Sequence, residues 1–72
     1  MAPQPSQGSV YEARIAHDLS VFAEVTDAQL NIALKRGTQV IATRMSGPLF
    51  QIAAVYGAAT AVATVQRKDL VF

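Results

Sequence analysis

Cysteine and tryptophan are absent from this 72-residue chain, and histidine occurs once. Without cysteine there is neither a disulfide staple nor a thiolate metal site. A chain this short normally needs such a staple, a metal or association with other chains, because it buries only about 60% of the surface its unfolded form exposes. Charge is scarce too, with Asp, Glu, Lys and Arg making up 15% of the residues against about 25% in an average soluble domain. Catalytic signatures are equally thin. No phosphate-cradling glycine loop, dinucleotide fingerprint, nucleophile elbow or haem-attachment motif occurs. His17 has Asp18 and Glu24 nearby but no second histidine, and a metal site needs three or four convergent ligands; it reads as a solvated histidine on a helix surface. The expectation is a chain that is not an enzyme and carries no cofactor, metal or small-molecule substrate.

What the chain does have is apolar sequence, 51% of its residues, and a formal net charge of only +1. So small a charge gives no reason to expect a polyelectrolyte partner. The charge is unevenly placed: residues 1–30 sum to −3 and residues 31–72 to +4. A second copy laid antiparallel, or a head-to-tail partner, would meet a complementary field, although acids early and bases late in one helix give the same pattern.

The first residues, MAPQPSQGS, lack the basic and apolar regions of a signal peptide. They read as an extended polar arm over 1–8 followed by one domain over 9–72, in a protein that is intracellular or membrane-associated within a complex. Ser9-Val10-Tyr11-Glu12 has the capping-box pattern, and Tyr11, Ile15, Leu19 and Phe22 then fall on one face at helical spacing. Thr26-Asp27-Ala28-Gln29 is a second start signal of the same kind. Ser46-Gly47-Pro48 is the clearest punctuation in the chain, with glycine suited to ending one helix and proline to starting the next. The expected fold is all-α: a long or broken helix over 9–45, a tight turn, and a helix over 48–68, packed as an antiparallel hairpin. Strands are the minor alternative at Val40–Thr43 and Val62–Val65, where β-branched residues gather.

Residues 47–65 carry no charge over nineteen positions. A helix that is apolar all round is a buried helix, and so short a chain cannot surround one of its own. Either partner subunits or lipid must cover the rest. Nineteen uncharged residues with Arg44 before and Arg67-Lys68 after also fit a membrane span. Ala53, Gly57 and Ala61 recur every fourth residue, the small-residue spacing that lets two helix backbones approach closely. Leu49, Phe50 and Ile52 are the expected anchors of that interface, and Leu70 and Phe72 its terminal docking residues. Arg67-Lys68 is also a candidate contact for a lipid headgroup or phosphate.

The expected function is that of a structural or accessory subunit of a larger assembly, built on helix packing with other protein subunits. In architecture such a chain is similar to the helical subunits of secretion needles and rods, and to single-span accessory subunits of energy-transducing membrane complexes. A third alternative is a helix-turn-helix DNA-binding module. Gln29-x-x-x-Ala33-x-x-x-Gly37 resembles the first helix and turn of repressor-type motifs, with Arg44 on the second helix. Its register, however, puts Arg36, Thr38, Thr43 and Ser46 at buried positions, and phosphate contact needs more basic residues than lie nearby.

Overall fold

The computed structural model describes residues 9–72, so the arm expected over residues 1–8 lies outside the described residues. The described chain is all-β. Seven strands run β1 (Val10–Ile15), β2 (Leu19–Val25), β3 (Ala28–Leu34), β4 (Gln39–Arg44), β5 (Leu49–Tyr56), β6 (Ala59–Gln66) and β7 (Leu70–Val71), with a three-residue 3-10 turn, Arg67–Asp69, before the last. This overturns the helical hairpin. Residues 9–45 form four strands rather than one helix, and residues 48–68 form two more strands and the 3-10 turn. Among the described residues no helix is long and apolar enough to cross a membrane, so the transmembrane-helix reading falls as well. The helix-turn-helix reading falls with it, since Gln29 and Ala33 lie on β3 and Gly37 lies in the turn after it.

All neighbours are antiparallel, in the order β3-β2-β6-β5-β4-β1-β7. The reason is period-two patterning. In Val10-Tyr11-Glu12-Ala13-Arg14-Ile15 the side chains of Ala13 and Ile15 are buried and those of Glu12 and Arg14 exposed. Leu30, Ile32 and Leu34 point inward from β3, while Gln29, Asn31 and Ala33 point out. Successive strand residues face opposite sides, so each strand supplies one apolar face. All seven faces meet in one cluster. With no helix to cover it, the sheet reaches this state only by curling over itself. β3 and β7 remain its two edges, so the barrel is not closed by hydrogen bonds.

Six of the buried residues are alanines: Ala13, Ala23, Ala42, Ala54, Ala61 and Ala63. Small side chains let opposite walls of a small barrel come together, and the larger Ile15, Ile52 and Phe50 are buried between them. Residues 47–65 are therefore not a helix needing outside cover. They form the β4–β5 turn and the β5–β6 hairpin, whose inner face is the core and whose outer face carries Gln51, Ala53, Val55, Thr60, Val62 and Thr64.

The turns are set by backbone handedness. β2–β3 and β5–β6 are joined by two-residue loops, Thr26-Asp27 and Gly57-Ala58, closing on Val25↔Ala28 and Tyr56↔Ala59. Only the first loop residue has a positive φ, 56° at Thr26 and 62° at Gly57, the pattern of a type II′ hairpin turn.

Candidate functional site

One end of the barrel holds an open concavity. Three aromatic rings build its floor. Tyr11 and Phe72 meet edge-on at 5.5 Å between ring centres, Phe50 and Phe72 are tilted at 5.3 Å, and Tyr11 and Phe50 lie at 6.3 Å. Such edge-on and tilted contacts are the favoured geometry for aromatic pairs. Around the rings, Arg44, Arg67 and Gly47 complete a cleft of about 400 Å3.

Strand parity puts these residues together. Tyr11 precedes Ala13 and Ile15 on the inward face of β1. Arg44 follows Val40 and Ala42 on the inward face of β4 and lies directly across from Phe50 in the β4–β5 register. Phe50 in turn faces Val65 on β6. Arg67, two residues beyond Val65, is held at the rim by its backbone N–H, which donates to the Pro48 carbonyl over 2.7 Å. Phe72, two beyond the buried Leu70, completes the ring cluster. The cleft is the mouth of the core, where the inward-facing rows run out of neighbours and end in aromatics and arginines.

Electrostatically the mouth is cationic. No lining residue is acidic, and neither guanidinium has a carboxylate partner among the described residues. Phe72 also lines a shallow groove of about 250 Å3 along β1 and β7, where Glu12 and Arg14 offset one another beside Gln39 and Val71. At and near the mouth, Phe72, Val71 and Val10 are each more than half exposed. The arrangement suits a ligand with an anionic group on an apolar body: guanidinium groups pair with carboxylates through charge-assisted, often bidentate hydrogen bonds, and ring faces accept apolar groups.

The eight residues expected to form a helix-packing interface separate. Phe50, Ile52, Ala61 and Leu70 are core residues engaged by their own chain. Ala53 sits half-buried on the outer face of β5 and Leu49 is at the exposed start of that strand. Gly57 is the first residue of the β5–β6 turn, and nothing lies within 4 Å of a Cβ built on it. Its positive φ of 62° accounts for glycine at this turn position. Of the eight, Phe50 and Phe72 belong to the cleft. Tyr11, Arg44 and Arg67 were outside that set, although the inward parity of Tyr11 and Arg44 on alternating strands is a signal that marks them.

His17 is not on a helix surface. It lies in the β1–β2 connection, paired with Asp69 rather than with Asp18 or Glu24. Among the described residues, no group of three or more His, Cys, Asp or Glu is placed to hold a metal ion. Comparison with protein-family models, curated proteins and solved structures finds no match to this chain.

Proposed function

We propose that this protein is a non-catalytic interaction domain, a subunit that joins an assembly by holding an extended acidic segment of a partner protein across the Tyr11–Phe50–Phe72 mouth. The observation that carries this reading is the pairing of three aromatic rings with two guanidiniums that have no carboxylate partner among the described residues. A small anion would engage Arg44 and Arg67 and leave the apolar rim uncovered. A chain segment satisfies both, with a carboxylate between the arginines, an apolar side chain on the rings, and a neutral or apolar continuation in the groove that Glu12, Arg14 and Val71 line.

The test is an amide-resolved NMR titration with a capped hexapeptide alternating Glu with Phe and Leu, run beside the same peptide with Gln in place of Glu. The acidic peptide should shift resonances of Tyr11, Arg44, Phe50, Arg67 and Phe72, and the neutral peptide should bind at least about tenfold more weakly, the loss expected for charge-assisted hydrogen bonds. Shifts confined to other faces, or equal binding of the two peptides, would refute the assignment.

A further inference from the structure

At the opposite end of the strand order from β7, β3 is a sheet edge seven residues long. Its sequence, AQLNIAL, has no charge and no proline. Natural edge strands are normally blunted by shortness, lysine, proline, a bulge or a covering element. β7, with two residues, is blunted by shortness. β3 has none of these protections among the described residues.

The hairpin geometry says which groups that edge offers. A two-residue loop closes on a hydrogen-bonded pair, here Val25↔Ala28, and such pairs then alternate along the ladder. Ala28, Leu30, Ile32 and Leu34 therefore direct their backbone groups to β2, while Gln29, Asn31 and Ala33 direct theirs outward. Among the described residues, no backbone or side-chain hydrogen bond beyond the β2–β3 ladder is made by these three.

We propose that β3 pairs antiparallel with β3 of a second copy of this chain, about a two-fold axis through Asn31, to give a sheet continuous across the dimer. Charge selects both the occupant and the register. β3 begins just after Asp27 and ends just before Lys35. With Asn31 opposite Asn31 of the second copy, Asp27 falls opposite Lys35, Gln29 opposite Ala33, and by symmetry each pair occurs twice. Gln29, Asn31 and Ala33 share the outer parity of the strand, and the exposed Asp27 and Lys35 flank its two ends, so the charge pairs form at the two ends of the contact and the outward-facing backbone groups meet only one another. On the inner side Leu30, half-buried in one copy, comes opposite Ile32 of the other. Shifting the register by two residues in either direction removes the Asp27–Lys35 match. An isologous contact of this kind closes as a dimer and does not propagate. It is independent of the cleft, which lies elsewhere on the sheet.

Sedimentation of the full chain over a range of concentrations tests this. The mass should rise from 7.7 kDa to twice that value, with weaker association at high salt. Asn31→Pro removes an outward N–H without touching the β2–β3 ladder and should leave a folded monomer. Asp27→Lys and Lys35→Asp should each raise the dimer dissociation constant about five- to tenfold, since each puts two like-charged pairs face to face, and the double exchange should restore it. A monomer at every concentration would overturn the proposal. So would a dimer indifferent to Asn31→Pro, or a double exchange that fails to restore association.

Discussion

His17 Nε2 donates to Asp69 Oδ1 over 2.8 Å, between residues 52 positions apart. The contact ties the β1–β2 connection to the 3-10 turn before β7. The same aspartate makes further bonds: Asp69 Oδ2 accepts from the Gln66 N–H at 3.1 Å, its carbonyl accepts from the Ala16 N–H at 2.8 Å, and its own N–H donates to the Gln66 side chain. Asp69 is the one buried charged or polar residue among those described. A buried carboxylate is tolerated where its oxygens are hydrogen-bonded, and here that satisfaction also fixes the place where the chain turns back to close the sheet.

Removing Asp69 should therefore cost more than removing His17. Asp69→Ala strips the acceptor from the Gln66 N–H and should lower stability by about 1–2 kcal/mol. His17 is 55% exposed in its side chain, and His17→Ala should cost only about 0.5 kcal/mol. Urea unfolding of both single variants and the double variant measures this. Equal losses would mean that the His17–Asp69 hydrogen bond, and not the cap, is what stabilises the turn.

The two matched hairpin turns make an internal comparison. Thr26 and Gly57 occupy the same left-handed position, but a β-branched residue there is strained by about 1–2 kcal/mol. Thr26→Gly should raise stability by about 0.5–1 kcal/mol, the relieved strain less the extra chain entropy of glycine. Gly57→Ala meets no atom within 4 Å, so its cost of about 1 kcal/mol is conformational alone. Thermal unfolding should move in opposite directions for the two variants.

Neighbouring alanines on β5 and β6 should respond by face. Ala61 is 2% exposed in the core and Ala53 lies half-buried on the outer side. Ala61→Leu overpacks and should destabilise by about 1–3 kcal/mol, whereas Ala53→Leu should stay within about 0.5 kcal/mol of the parent. Ile52→Ala should cost about 3 kcal/mol. Circular dichroism during denaturant titration distinguishes these outcomes, and a large loss at Ala53 would contradict the strand parity.

These same alanines show why the fold was only partly legible. Ala53, Gly57 and Ala61 are four apart, as are Tyr11 and Ile15. Four is close to a helical turn of 3.6, but it is also an even number, so β1 keeps Tyr11 and Ile15 on one face just as well, whereas a hairpin turn at Gly57 leaves Ala53 on the outer face and Ala61 in the core. The intervening positions decide: Ala13, between Tyr11 and Ile15, is buried, and Leu30, Ile32 and Leu34 alternate cleanly with polar or small partners. Phe22 obscured the pattern on β2 by standing on the outer face at 60% exposure. Ser46-Gly47-Pro48 does mark a turn, between two strands, and Gly57-Ala58 carried the glycine-first hairpin signal. The cleft was less accessible still. It depends on β1, β4, β5 and β7 ending at the same level of the barrel, which follows from non-local pairing that no local pattern encodes.

That pairing makes a residue-by-residue prediction for β3. In dilute solution the amides of Leu30, Ile32 and Leu34, which point to β2, should exchange with solvent only through opening of the hairpin or of the whole sheet. Those of Asn31 and Ala33, with no partner in the monomer, should exchange orders of magnitude faster. Hydrogen exchange followed by NMR reads the alternation directly. Protection of Asn31 in place of Ile32 would mean a hairpin closed one residue out of register, which would turn Ile32 and Leu34 out of the core. Raising the protein concentration supplies the second half of the prediction. Asn31 and Ala33 should then become protected together, while Leu30 and Ile32, already bonded to β2, change little.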